Sequence, residues 1–255
     1  MADVLLTQKQ GSVYIARINR PDALNALNFE VMDRMAEMIG EIETDDDIRV
    51  FILEGSGQRY FTSGGDLREF ASLRTPEEGR EMAARMGRIL QRIEDVPCWT
   101  IACLNGDAYG GGSELSLAFD FRIAAEHSQF HFNQSQFYLT PGWGGLTRLV
   151  ERVGRSCALE WLATGRSVTA QEALATGLIN HSFSGDQLER EVQRLSELMA
   201  RNDRHLIRAL KEGAERAIQI ERSESLEAGL ETFARLWGSS EHHNRVEQFL
   251  NRKNG

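Results

Sequence analysis

No apolar run in this sequence approaches the roughly 18 residues that a membrane-spanning helix requires, so no membrane association is expected. The opening residues, Met1-Ala2-Asp3-Val4, lack the basic-then-apolar pattern of a secretory signal, and no Arg-rich, acid-poor transit segment is evident. The expected compartment is the cytoplasm. Cysteine is scarce: Cys98, Cys103 and Cys157 are odd in number, fall at no metal-ligand spacing and read as reduced, partly buried small hydrophobes. None of the six histidines has zinc-site spacing, and His242-His243 lies in a polar stretch that reads as solvated surface. Basic charge is in deficit. The 29 Lys and Arg against 38 Asp and Glu leave a net charge of −9, which repels a polyanion such as nucleic acid. A small anionic ligand is still compatible, because a few local cations and helix N-termini suffice for it.

Nucleotide-binding signatures are missing too. Neither glycine cluster satisfies G-x-G-x-x-G, Gly142-Trp143-Gly144-Gly145-Leu146-Thr147 misses the last glycine, and there is no P-loop. Gly111-Gly112-Ser113-Glu114-Leu115 lacks the final glycine of a nucleophile elbow, so nothing favours a hydrolase built on Ser113.

What is present is an ordinary soluble globular composition. The 255 residues are 41% hydrophobic and 26% charged, enough for one large domain or one domain with an appendage. Residues 11–19 alternate and are rich in β-branched side chains, which predicts a strand. Helices are expected from about Asn28 to Glu43, with Val31, Met35, Met38, Ile39 and Ile42 on one face, and from about Glu77 to Asp95. Short apolar strands are expected at Val50–Leu53, Trp99–Leu104 and Phe121–Ala125, with a helix from Ser113 to Phe119 between the last two. Strands alternating with helices predict an α/β fold around a largely buried sheet. From about Asp186 the pattern becomes consecutive helices, with apolar faces Leu188/Val192/Leu195/Met199, Leu206/Leu210/Ala214/Ile218 and Leu226/Leu230/Phe233.

Two loops carry chemistry. In Tyr60-Phe61-Thr62-Ser63-Gly64-Gly65-Asp66-Leu67, adjacent glycines let the backbone approach a ligand, and Asp66 suits the N-cap of a following helix. Amides in such a loop can converge on a developing negative charge, although a plain helix-initiating turn suffices to explain the pattern. In Asn105-Gly106-Asp107-Ala108-Tyr109-Gly110-Gly111-Gly112-Ser113-Glu114, three glycines lead into the helix and present free amides at its positive end. Glu114 then falls in the first helical turn. An acidic residue there favours the dipole, and a carboxylate beside an anion hole also suits proton transfer next to a carbonyl. Spacing does not separate the two readings.

Taken together, five motifs resemble the enoyl-CoA hydratase/isomerase (crotonase) superfamily. They are Arg20-Pro21-Asp22-Ala23-Leu24-Asn25-Ala26-Leu27, the Phe61–Leu67 loop, Asn105-Gly106 through Leu115, Pro141-Gly142-Trp143-Gly144-Gly145, and Thr164-Gly165 through Ala170-Gln171-Glu172-Ala173 to Gly177-Leu178-Ile179. They occur in the family's order and cover nearly the whole chain. The resemblance implies a spiral of ββα units over residues 1–190 and a C-terminal helical region over 191–255 that builds trimers or dimers of trimers. It implies that the amides of Gly65 and Gly111 form an oxyanion hole for a thioester carbonyl. Ala23, Leu24, Ser63 and Gly64 would line the acyl-CoA site. The other matched positions, Asp66, Leu67, Tyr109, Gly110, Pro141 and Trp143, are expected at the same site. Near the C-terminus, Phe249-Leu250-Asn251-Arg252 looks like the family's Phe-x-x-Lys, with Arg in place of Lys, which would bring Phe249 and Arg252 to the CoA phosphates. No metal, flavin or nicotinamide is implied, and CoA arrives with the substrate.

The acid–base pair departs from the pattern. Hydratases of this family use two glutamates; Glu114 matches the first, but counting along Phe130-His131-Phe132-Asn133-Gln134 puts Gln134 at the second. Glutamine orients water or a carbonyl but does not transfer protons near neutral pH, and losing one acid–base group costs about 10²–10⁴ in rate. Decarboxylation of a malonyl-type thioester generates an enolate directly and needs one acid, so it stands beside hydration as an alternative. His131 and Tyr138 lie in the same stretch as lesser candidates. A non-catalytic CoA- or RNA-binding member of the fold is the alternative of another class. RNA gel shifts at varied salt are expected to show no binding; salt-sensitive retardation would support that rival.

Overall fold

The computed structural model describes residues 3–218 and 222–252. The chain opens with a hairpin, β1 (Leu5–Gln10) antiparallel to β2 (Val13–Ile18). Periodicity pointed to β2 alone; β1 has only Leu5 buried, so its pattern carries no inward face to read. Helix α1 (Phe29–Thr44) follows, capped by the Asn28 side chain, which accepts from Val31 N–H at 3.0 Å. Its predicted stripe of Val31, Met35, Met38, Ile39 and Ile42 is buried.

Three strand pairs then build the frame. They are β3 (Val50–Gly55) with β4 (Tyr60–Thr62), β5 (Trp99–Leu104) with β6 (Asp107–Tyr109), and β7 (Phe121–Ala125) with β8 (Gln129–His131). The first pair is followed by α2 (Leu67–Phe70) and α3 (Pro76–Asp95), and the second by α4 (Gly111–Leu117). After β8 come α5 (Gly145–Val153), α6 (Arg155–Thr164), β9 (Ser167–Thr169), α7 (Ala170–Ala175) and β10 (His181–Phe183). The first strand of each pair joins a six-stranded sheet of order β1-β2-β3-β5-β7-β10, and the second joins a four-stranded sheet of order β4-β6-β8-β9. Each turn of the chain thus adds one strand to each sheet, which is the ββα spiral. The pairings β2–β3, β3–β5, β5–β7, β7–β10, β4–β6 and β6–β8 are parallel.

Asparagines hold the corners where the chain passes between sheets. Asn105 accepts from Gly55 N–H at 3.0 Å and donates to Gly55 O and Gly57 O, both at 2.6 Å. Asn25, 1% exposed and in the left-handed region at φ 55°, donates to Ser56 O at 3.0 Å and Tyr60 O at 2.8 Å.

The main core lies between α1, α3 and the inner face of the larger sheet. Helix α3 starts with a capping box, Thr75 with Glu78, and buries Met82, Met86, Ile89, Leu90 and Ile93, each worth about 1.5–3 kcal/mol relative to exposure. The other sheet face is covered by α8 (Gly185–Met199) through Leu188 and Val192. Helices α9 (Arg204–Ile218), α10 (Arg222–Trp237) and α11 (Ser240–Arg252) complete the chain. Lys211 ties α9 to the sheet by pairing with Asp120 at 2.9 Å.

The apolar face expected on α9 is not buried: Leu206 and Leu210 are each 50% exposed, and Ile207 packs inward instead. The Ile218 and Leu226 side chains lie outside the described residues. Cys98 and Cys103 are buried, and burial pushes the Cys98 thiol up to about 12, so both are inert hydrophobes. Among the described residues no helix is long and apolar enough to cross a membrane. Asn25→Ala removes the side-chain donor to two half-buried carbonyls and a residue tolerant of positive φ. It is expected to lower the urea-unfolding free energy by about 2–3 kcal/mol at unchanged m value, whereas a change within about 0.5 kcal/mol contradicts this role.

Candidate active site

The pairing of β4 with β6 sets the two glycine loops side by side, and the Arg20–Leu27 motif is stitched to the first of them. Ser63 N–H donates to Leu24 O at 3.0 Å, Leu27 N–H to Gly64 O at 2.8 Å, and Asp66 N–H to Leu27 O at 3.0 Å. Arg20 pairs with Asp66 at 2.9 Å, and Asp66 caps α2 by accepting from Arg68 N–H. Gly64 sits at φ 86° against the start of α4: a Cβ there would stand 2.6 Å from Tyr109 O and 3.0 Å from Gly111 N. Only glycine permits that approach, and it places Gly65 and Gly111 on one cavity of about 830 Å³, a volume typical of small-molecule sites.

Glu114 opens on the same cavity while being 3% exposed. Its Oε2 accepts from Trp143 N–H at 2.8 Å and Gly145 N–H at 3.0 Å, and its Oε1 accepts from Gln134 Nε2 at 3.0 Å. A Cβ on Gly145 would lie 2.3 Å from Glu114 Cγ, so glycine is required for this seat. Burial pushes the Glu114 carboxyl above the usual carboxylate range, opposed by the bonds from Trp143, Gln134, Gly145 and Gly142. The Gln134 amide oxygen is buried, lines no hydrogen bond of its own, and belongs to a residue of the cavity wall. The Trp143 indole lies over the first loop of α4, where a Cβ on Gly111 would meet the ring at 2.3 Å.

Of the residues singled out from the sequence, Leu24, Ser63, Gly65, Leu67, Tyr109 and Gly110 line this cavity. So do Gly111, Glu114, Gln134, Trp143 and Phe249. Ala23, Gly64, Asp66 and Pro141 are not in the wall; Gly64 and Asp66 shape the loop from behind. Arg252 ends α11, and its side chain lies outside the described residues. His131 stacks on Tyr109, ring centroids 3.9 Å apart, and supports the wall from outside. Tyr138 is 42% exposed beneath Arg245 and does not reach the cavity. Ser113 is fully buried with its hydroxyl donated to Ala108 O at 2.9 Å, which removes it as a nucleophile.

Sequence reading missed the cover. Phe233 and Trp237 of α10, with Asn244, Arg245 and Gln248 of α11, close the cavity within the same chain. Notches receive them: a Cβ at Gly142 or Gly79 would meet the Phe233 or Trp237 side chain at 2.4 Å. The i,i+4 aromatic pair was a signal for packing, with nothing in it to say against what. His242, buried on Trp237, donates from Nδ1 to Phe137 O at 2.9 Å, so the stretch expected at the surface is part of this contact. Among the described residues no group of three or more His, Cys, Asp and Glu is placed to hold a metal ion.

Comparison with known proteins follows the same outline. Residues 8–254 match the family model described as enoyl-CoA hydratase/isomerase. A short-chain-enoyl-CoA hydratase of Clostridium acetobutylicum is 30% identical over 249 residues, 98% of this chain and 95% of the relative. The ethylmalonyl-CoA decarboxylase of Bos taurus is 29% identical over 236 residues, 91% of this chain and 77% of the relative. The crystal structure of an enoyl-CoA hydratase from Bacillus anthracis superposes with a TM-score of 0.82 at 30% identity, covering 98% of this chain and 96% of that one.

The raised Glu114 pKa has a consequence for stability. The folded state binds this proton more tightly than the unfolded state, so stability falls as pH rises from the ordinary carboxylate value through the raised one, and the loss persists above it. Glu114→Gln removes that loss. The variant is expected to have a higher urea midpoint than the wild type at pH 8, an advantage that shrinks toward pH 4. Identical midpoints at both pH values would contradict a net cost of burying this carboxyl.

Proposed function

The chain belongs to the enoyl-CoA hydratase/isomerase family, and on that premise we propose that it binds an acyl-CoA thioester and stabilises its enolate. The amides of Gly65 and Gly111 receive the thioester oxygen as negative charge develops on it, a task that preorganised donors in a water-poor site perform at little reorganisation cost. Glu114 carries the proton. The observation that supports this most is that a buried carboxyl with a raised pKa shares one cavity with both glycines. Its Oε2 accepts from the amides of Trp143 and Gly145, and Oε1, which faces Gln134, is the oxygen assigned to exchange a proton.

Hydration is the reaction that the family name carries. Water adds across the Cα=Cβ bond, hydroxyl to Cβ and proton to Cα. Gln134 cannot ionise, but its unpartnered Oε1 can accept from that water while Glu114 takes its proton and delivers one to Cα. A second reading is favoured by Gln134 itself. With one carboxyl in the site, loss of CO₂ from a malonyl-type thioester leaves its electron pair on the enolate, and protonated Glu114 supplies the Cα proton. The similarity to a decarboxylase supports that reading. The homotrimer or dimer of trimers, the core over 1–190, the helical region over 191–255 and the cytoplasmic setting belong to the same proposal.

Wild type and Glu114→Gln should be compared on crotonyl-CoA and methylmalonyl-CoA, with products followed by mass spectrometry. Hydration of the first or CO₂ loss from the second is expected, falling by about 10²–10⁴ in the variant. Conversion undiminished in Glu114→Gln contradicts the role given to this carboxyl.

A further inference from the structure

Arg148 is 2% exposed and lies on α5, three residues beyond Gly145, whose amide holds Glu114. It makes a bidentate pair with Glu94 near the end of α3, Nε at 2.9 Å and Nη2 at 2.6 Å. Its remaining Nη1 donates to Trp143 O at 2.8 Å. Trp143 is thereby gripped at both ends of its backbone, its carbonyl by Arg148 and its N–H by Glu114 Oε2 at 2.8 Å. The next residue, Gly144 at φ 82°, links Trp143 to the Gly145 amide and is a flexible link that does not hold its own geometry.

From this arrangement we propose that Glu94 and Arg148 are positioning residues: they fix the Trp143–Gly145 segment so that its amides hold the Glu114 carboxylate in register with Gly65 and Gly111. The proposal rests on the reading of Glu114 as the proton carrier. A buried ion pair is a weak source of net stability, because an apolar pair of similar volume often does as well. Its fork geometry does something an apolar pair cannot. The guanidinium is planar, so anchoring two of its nitrogens on Glu94 aims the third at one carbonyl. Glu94 sits on the long, well-packed α3, so the rigidity of the core is carried through Arg148, 54 residues away in sequence, to a glycine-rich loop.

The test is the double variant Glu94→Leu/Arg148→Met, which removes both charges together and leaves neither buried alone. Its fold is checked by circular dichroism and thermal melting. With the better substrate of the pair above, kcat is expected to fall by about tenfold to a hundredfold while KM stays within about threefold, the signature of a displaced reacting group. The limb of the kcat–pH profile that Glu114→Gln abolishes should also move to higher pH, because weaker amide bonds from Trp143 and Gly145 favour the carboxylate less. A merely structural pair would not move that limb. Should the double variant fail to fold, Glu94→Gln gives the same readout, since it keeps the shape but loosens the fork. Wild-type kcat and an unmoved limb in a folded variant overturn the proposal. Full activity in Glu114→Gln would instead overturn the reading beneath it, and the two failures are told apart by that control.

Discussion

A carboxylate taken out of water must be met by donors, and the placement of Glu114 follows from that requirement. Burial raises its pKa; amides from a separate loop and the Gln134 side chain offset part of the cost. Those donors are available only because Gly145 has no side chain and because Trp143 is turned with its N–H inward. The same indole then closes over Gly111. One buried charge thus dictates the conformation of the loop that forms the opposite wall of its own site.

The spiral makes this possible at low conformational cost. Each turn of chain sends one strand into each sheet, so the links after β4 and β6 emerge side by side and bring two glycine loops together from positions far apart in sequence. Asn25 and Asn105 bind the corners, and the first motif is hydrogen-bonded to the second rather than to the ligand space. The helical end of the chain then folds back. α10 lies against α3 and seats Phe233 and Trp237 in notches at Gly142 and Gly79, which closes the cavity with side chains from one chain.

Much of this was legible from residues alone. The Met and Ile stripes of α1 and α3, the buried strands and the α/β class follow from periodicity, because each element buries one side. Glu114 and the two glycine loops stood out as local patterns, whereas Gln134 was reached only through the family resemblance, as the position of the second glutamate, and it donates to Glu114 at 3.0 Å. What was not legible depends on pairings distant in sequence. Nothing local says that Glu94 meets Arg148, that Lys211 meets Asp120, or that α11 reaches the turn after β8. The exposed Leu206 and Leu210 show the reverse error: an apolar stripe predicts a buried face and says nothing of whether this chain alone buries it.

The central claim is that Glu114 exchanges a proton with the carbon next to a thioester carbonyl held by Gly65 and Gly111. Solvent exchange tests it without presupposing the full reaction. Butyryl-CoA, incubated with the protein in deuterated buffer and read by mass spectrometry, is predicted to take up deuterium at Cα with the wild type and not with Glu114→Gln. Absence of exchange in wild-type protein shown to bind the thioester, or exchange undiminished in the variant, would contradict the account.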